Sequence, residues 1–333
     1  MIGAASPLPY EYDHRFVYNS LQVGRELTAD DPPWYPGTDF KDTQEALAAI
    51  PGVVAGWMAA GARRNNMFTG RDIATMVVRF TDNDHARFAY DELARRTKGE
   101  PGEIPGYSDA RVRVALINGS FYRQQDMRAW LIRGDLLIHA ALSDPVSIPF
   151  DTAANADIVK RFFDKQLAML ETYSPTPVAE LDKVPLDVDG LLSRTLPADR
   201  GRPFGAVYPR QALFHLANRP DRMAPAIADA DVDYSAVAGG SVYRTRDAAA
   251  AIRYLAAKAA DVATNSKYEP MERPSTMPDA RCYNAKPGQY IILDVPPICL
   301  TTVGRYVIGS VGANPQDTHQ RLAAQYKLLA GYP

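Results

Sequence analysis

Only two cysteines occur in 333 residues, Cys282 and Cys299, both inside the stretch ARCYNAKPGQYIILDVPPIC. There is no CxxC pair and no histidine near them in sequence, so the four close ligands of a structural zinc site are missing and no metal is expected. An excess of one charge is also missing: 37 basic against 39 acidic residues leave a formal net charge of −2. That argues against nucleic acid, which would need a basic stripe, and against an anionic membrane surface as partners. No apolar run approaches the 18 or more residues of a membrane span. The opening MIGAASPLPYEYDHRF lacks the basic and apolar regions of a signal peptide, so the chain as it stands carries no recognisable export signal.

What is present is globular. Hydrophobic residues make up 46% of the chain and charged residues 23%, enough apolar surface for large cores, and the length suggests two domains. The chain reads as a duplication. SDARVRV followed by MRAWLIRGDLLIHAALSD in the first half matches PDARCYN followed by ICLTTVGRYVIGSVGAN in the second. Asp109 stands as far from the turn glycine Gly134 as Asp279 does from Gly304, and the two sets are offset by 170 residues.

A helix precedes each matched pair of strands, TDNDHARFAYDELARR and TRDAAAAIRYLAAKAADV. Thr81 and Thr245 are expected to cap them, with Asp84 and Asp247 in the first turns facing the positive end of the helix dipole. A second helix closes each half. Val159, Phe162, Phe163, Leu167 and Leu170 form one apolar stripe, and Leu322, Tyr326 and Leu329 form the other. Asn314 caps the latter, Pro315 takes its first position and Gly331 ends it.

Each half therefore reads as a strand, a helix, three antiparallel strands and a closing helix, with one strand more in the first half. The fold class expected is α+β: two related repeats, each an antiparallel sheet with helices packed on one face. The boundaries expected are an N-terminal strap or partial subdomain over 1–50, including a short helix in DTQEALAAI, a first repeat over 51–173, a proline-rich linker or surface strap over 174–204 and a second repeat over 205–333. Aromatic clusters at PYEYDHRFVY and DPPWYP suit either packing of the strap or contact with an amphipathic ligand.

Cys282 and Cys299 fall on two strands that should pair antiparallel, and opposed residues there lie at the Cα separation a disulfide needs. Their counterparts in the first half are Val112 and Ala129. A disulfide is therefore expected, and with it maturation in an oxidising compartment.

Chemistry is sparsely marked. The five histidines are His14, His85, His139, His215 and His319, and no two have the helical spacing of a metal-binding pair. IGSVG at 308–312 and GGSVY at 239–243 each miss the GxSxG nucleophile elbow by one residue and sit in strands. No phosphate-cradling glycine motif occurs and no cofactor is expected. Asp187 to Gly190, DVDG, lacks the remaining ligands of a calcium loop and reads as a turn. Arg133-Gly134-Asp135 reads as a hairpin turn, because the other repeat keeps the glycine at Gly304.

The stretches PLDVDGLLSRTLPAD, AVYPRQALFHL, GGSVYRTRDAAAAIRYLAAK, PDARC, GRYVIGSVGANPQDTHQRLAAQYKLLA and, less specifically, RFTDNDHARFAYDEL with IPGY carry a resemblance. The chain resembles a family of actinobacterial, mycobacterial-type cell-envelope lipoproteins classed as a domain of unknown function. The resemblance covers most of residues 50 to 333. It implies secretion and a membrane anchor through a lipidated N-terminal cysteine, and it brings no catalytic residues with it. The signal peptide and lipobox cysteine of that pattern are not in this sequence; either Met1 opens a chain trimmed of its anchor or this member is a non-lipidated relative, and the disulfide favours the former.

The function expected is that of an exported cell-envelope protein, non-enzymatic, binding an amphipathic lipid or glycolipid, or an envelope protein, in a cleft or on a sheet surface between its repeats. The alternative is an envelope hydrolase with an unadvertised site in which His139 or His215 meets a serine or carboxylate.

Overall fold

The computed structural model describes residues 1–19, 25–28, 50–66, 68–119, 122–199, 205–287 and 295–332. The helix expected in DTQEALAAI and the DPPWYP cluster lie outside these residues. The chain divides into two compact units, Met1–Asp182 with His215–Pro220, and Lys183–Phe214 with Asp221–Pro333.

In the first unit a short 3-10 turn (Ile2–Ala5) and α1 (Pro9–Tyr12) precede strands β1 (Arg25–Leu27), β2 (Val53–Ala62) and β3 (Asp72–Phe80). Helix α2 (Asn83–Arg96) follows, then β4 (Glu100–Pro101), β5 (Arg111–Asn118), β6 (Arg123–Arg133), β7 (Leu136–Asp144) and α3 (Thr152–Leu170). The second unit contains β8 (Ala206–Pro209), α4 (Arg210–Phe214), α5 (Pro220–Asp229), β9 (Tyr234–Val237) and β10 (Ser241–Arg244). It continues with α6 (Ala248–Thr264), β11 (Tyr268–Met271), β12 (Arg281–Ala285), β13 (Ile298–Val303), β14 (Tyr306–Val311) and α7 (Pro315–Leu329).

The two sheets have the same topology. The first runs β1-β2-β3-β7-β6-β5-β4 and the second, read from its other edge, β8-β9-β10-β14-β13-β12-β11. Every pairing is antiparallel, so each unit is α+β with three strands before its long central helix, α2 or α6, and four after it. The sequence pattern shows fewer, because the missing strands are short: β1 spans three residues, β4 two, and β8, β9 and β11 four each. Such lengths are too brief to display an alternation.

The helices, expected on one face, take opposite faces of each sheet. In the first unit α2 packs Ala86, Ala89, Tyr90 and Leu93 against Met58, Met76, Val78, Trp130 and Leu137. Alternation along the strands puts Val77, Leu131 and Ile138 on the other side. Helix α3 lies there: Asn155 donates to Gln125 at 3.0 Å, and the partner of Gln125 across the strands is Asp144. The second unit repeats the arrangement. Helix α6 meets the face of Tyr243 and Tyr283, whose hydroxyl donates to the Ala259 carbonyl at 3.0 Å, while Leu322 and Leu329 of α7 pack with Cys282, Cys299 and Ile308. The signal for two-sided burial was present in IATMVV of β3, a continuous apolar run, since a strand covered on both faces has no reason to alternate.

Details of the helix ends also differ from expectation. The caps are Asp82 and Asp247, whose carboxylates accept from the His85 and Ala250 amides. Carboxylate side chains at these positions outcompete the neighbouring threonines because they also meet the helix dipole. Asn314 caps α7 with Pro315 at its first position, as the sequence suggests. Tyr326 is 39% exposed rather than part of the stripe; the adjacent Gln325 is buried in its place.

That glutamine extends the duplication beyond the sheets. Gln166 of α3 donates to the Ala5 carbonyl at 2.7 Å; Gln325 of α7 donates to the Arg194 carbonyl at 2.8 Å and accepts from the Leu196 amide at 2.7 Å. In both straps a hydroxyl reaches back four residues, Ser6 to the Ile2 carbonyl and Thr195 to the Leu191 carbonyl. Ile2 and Leu191 are both buried. Residues 191–196 of the proline-rich stretch are thus the second unit's own strap, the counterpart of residues 2–6.

Candidate ligand-binding cleft

In the first unit the N-terminal turns of α2 approach the β6–β7 hairpin. Gly134 makes that hairpin possible with φ of +59°, as Gly304 does at +55° in the second unit. Between helix and hairpin lies a cleft of about 290 Å3 lined by Asn83, Arg87, Tyr90, Asp109, Ile132, Arg133 and Gly134. Its walls are held in place from behind. The Tyr90 hydroxyl donates to the Asp109 carbonyl at 2.6 Å, and the Arg111 guanidinium lies 4.6 Å over the Tyr90 ring while pairing with Asp91 at 2.6 Å. Burial pushes the Tyr90 phenol above its ordinary range, so the ring serves as a neutral apolar wall.

Arg133 bonds the Asp109 carboxylate at 2.7 Å and the Ile132 carbonyl at 2.6 Å, both through Nη1. Arg87 is exposed at the rim. Two guanidiniums, an amide side chain, a phenol ring and an isoleucine make a mixed polar and apolar surface, suited to hydroxyl, carboxylate or phosphate groups next to a nonpolar ring or stem. The duplicated positions for Ile132 and Arg133 are Thr302 and Val303, so the fold does not require the cleft's chemistry. Arg133-Gly134-Asp135 is the hairpin turn that the repeated glycine predicts, with Asp135 paired to Arg79 at 2.8 Å, and Arg133 also lines the cleft together with Arg87.

At the opposite end of the same sheet, on its α2 face, is a buried charged group. Asp126 accepts from Arg128 at 2.9 Å, Ser143 at 2.9 Å and Gln124 at 2.7 Å. Burial, then the charge of Asp126, pushes the Asp72 carboxyl up to about 7. Nη1 of Arg128 and Nε1 of Trp130 are buried without a hydrogen-bond partner. In the second unit Lys258 lies 4.2 Å over the Tyr243 ring.

Among the described residues the histidines do not form a serine–histidine–carboxylate triad. His139 is buried, stacked on Trp130, with Nδ1 on the Ala129 carbonyl at 3.0 Å. Burial, helped by Arg128, lowers its pKa to about 3. His215 is set against the edge of Trp57, with Nε2 on the Ser6 carbonyl at 3.1 Å, and burial lowers it to about 4. His85 touches both Thr81 and Asp82, but through the same nitrogen, Nδ1, whereas a triad needs one partner on each ring nitrogen. His14 is exposed and His319 bonds the Glu272 carbonyl. Ser310 of IGSVG is buried and donates to the Thr318 carbonyl. DVDG is a turn whose Asp187 carboxylate accepts from the Leu192 and Ser193 amides.

A disulfide joins Cys282 and Cys299, cross-strand partners in the β12–β13 register. The fold also brings a ring nitrogen of His319 to within 4.8 Å of both sulfurs, a proximity invisible in a sequence that separates them widely. With the sulfurs bonded to each other they offer no thiolate to a metal. Among the described residues no helix is long and apolar enough to cross a membrane.

No curated protein matches the chain. The crystal structure of the extracellular domain of PknH from Mycobacterium tuberculosis is similar over 49% of this chain and 94% of that one, at 12% sequence identity and a TM-score of 0.34. Two family models match end to end: residues 2–186 fit the N-terminal and residues 191–332 the C-terminal model of a domain of unknown function, DUF7373, and their boundary falls where the second strap begins. The chain belongs to the DUF7373 family.

Proposed function

We propose that this is an exported protein of an actinobacterial-type cell envelope, held there as a lipoprotein, that binds rather than transforms its ligand. The observation that carries the binding reading is the Arg87–Arg133 cleft. At about 290 Å3 it is at the small end of ligand sites. That is room for a sugar ring or a charged head group, not for acyl chains. The ligand class that fits is the head group of an amphipathic lipid or glycolipid carrying hydroxyl and anionic oxygens, with Tyr90 and Ile132 meeting its nonpolar side. An envelope protein presenting an acidic side chain to the same arginines is the corresponding protein partner.

Export is supported by the Cys282–Cys299 disulfide, since such bonds persist in oxidising compartments. Thiol labelling of denatured, unreduced protein should find no free cysteine; two labelled cysteines would refute export by this route. The binding reading is tested by native mass spectrometry of protein purified from its own envelope. A stoichiometric lipid or glycolipid lost in Arg87→Ala with Arg133→Ala supports it. A ligand retained by that double variant, or ligand-free protein throughout, refutes it.

A further inference from the structure

Three connections, each taken by its described residues, emerge together at the end of the first sheet remote from the cleft: 63–66 and 68–71 between β2 and β3, 119 and 122 between β5 and β6, and 145–151 between β7 and α3. The pairings Ala62 with Asp72, Asp72 with Ser143 and Asn118 with Arg123 place them side by side. They are tied into one platform. Phe68 and Tyr122 stack at 4.1 Å, Arg71 bonds both Asp144 and Ser147 at 2.9 Å, and the Arg123 guanidinium lies 5.6 Å over Phe150.

The platform displays apolar side chains outward. Ile148 is 94% exposed, Val146 48% and Phe68 42%. Phe68 takes φ of +57°, a left-handed position that favours glycine and disfavours a bulky ring. Exposed Arg64 and Arg123 flank the tips, while Arg63 and Arg71 are already neutralised by Asp13 and Asp144. The second unit provides an internal control. Its equivalents of the β2–β3 and β7–α3 connections are residues 238–240 between β9 and β10 and 312–314 between β14 and α7, while the equivalent of the β5–β6 connection, residues 286–297 between β12 and β13, lies partly outside the described residues. At those two places the same fold closes with short turns, so the longer β2–β3 and β7–α3 loops of the first unit, which carry Phe68, Val146 and Ile148, are not needed for folding.

We infer that this loop platform docks on an anionic lipid surface, with Ile148, Val146 and Phe68 entering the interface and Arg64 and Arg123 meeting lipid phosphates. Apolar tips ringed by guanidiniums fit a bilayer interface, where buried apolar area and local cation–phosphate attraction add. The near-neutral net charge of the chain does not oppose this, because screening confines the attraction to charges within about 10 Å of the surface. The envelope reading supplies such a surface, and the inference rests on it for its setting but not on the cleft.

The test is cosedimentation of the intact protein with phosphatidylcholine vesicles, with and without phosphatidylglycerol. Binding is expected with phosphatidylglycerol, weakened about tenfold or more by Ile148→Asp and about fivefold or more by Arg64→Glu with Arg123→Glu. An unchanged thermal melt certifies the fold, and an environment-sensitive dye on Ile148→Cys, labelled with the native cysteines still bonded to each other, should shift to the blue on the vesicles. Unchanged vesicle binding in Ile148→Asp, or an unshifted dye, overturns the inference. Concentration-dependent self-association abolished by Ile148→Asp, with no vesicle binding, also overturns it and assigns the platform to a second copy of the chain. Loss of docking in Ile148→Asp with head-group capture intact in native mass spectrometry separates this surface from the cleft.

Discussion

Where the first unit packs Val112 against Ala129 across β5 and β6, the second joins Cys282 to Cys299 across β12 and β13. Where the first stacks His139 on Trp130, the second has Gly309 beside Leu300. Each unit keeps the same strand order, the same opposed helices and the same buried glutamine under its strap, and each holds them with different side chains. Topology therefore depends on the elements that recur: the turn glycines, the helix caps and the apolar faces. The side chains found in one unit alone, such as the disulfide, the buried histidines and the cleft arginines, add stability or function on top of it.

The comparison is sharpest in acid. His139 and His215 are held neutral in the folded first unit, with pKa values of about 3 and about 4, against about 6.5 unfolded. The unfolded chain gains protons that the folded chain does not as pH falls below 6.5, so stability is lost on acidification, by up to about 3 kcal/mol for each histidine near pH 4. Asp72 works the other way. Its folded value of about 7 exceeds the unfolded one, so it adds stability as pH falls from 7 toward 4. Hydrogen exchange of the two units at pH 7 and pH 4.5 should show the first unit loosening and the second, whose one histidine is half-exposed His319, holding. Asp72→Asn should steepen the loss in the first unit.

Reduction should reverse the contrast. Opening the Cys282–Cys299 bond is expected to cost the second unit about 3 kcal/mol by the chain-entropy argument and to leave the first unchanged, read by urea unfolding with and without a reductant under hydrogen exchange. The strap glutamines should rank by the bonds they make. Gln325→Ala strands a carbonyl and an amide and is expected to cost about 2 kcal/mol, against about 1 kcal/mol for Gln166→Ala, which strands one carbonyl. The shared turn glycines stand with Gln166 at the small end of the range. Gly134→Ala and Gly304→Ala should each cost about 1 kcal/mol, because an added Cβ meets nothing closer than 3.9 Å at Gly134 and nothing within 4 Å at Gly304, leaving only the left-handed backbone penalty.

Much of this was legible in the linear chain. Repeated Asp-Ala-Arg, equal spacing to a glycine and matching helix ends announce a duplicated α+β fold, since turns and caps act through residues close in sequence. The same alignment set Cys282 opposite Cys299. The strap repeat was harder to see: Ile2 to Ser6 and Leu191 to Thr195 share little beyond an apolar residue and a hydroxyl four positions apart. Their equivalence appears only through Gln166 and Gln325, which bond backbone atoms and so constrain no side-chain identity in the strap.

The sequence by itself determined the element types, the duplication, the turn glycines and the cysteine pairing, because each depends on local conformation or on a register that alternation and spacing encode. The tertiary structure alone decided which face each helix covers, that Arg87 and Arg133 share a cleft, that His319 lies beside the disulfide, and that three loops form one apolar platform. Those are contacts between residues far apart in the chain, set by how the strands are ordered in the sheet, and no local pattern in a single sequence records that order.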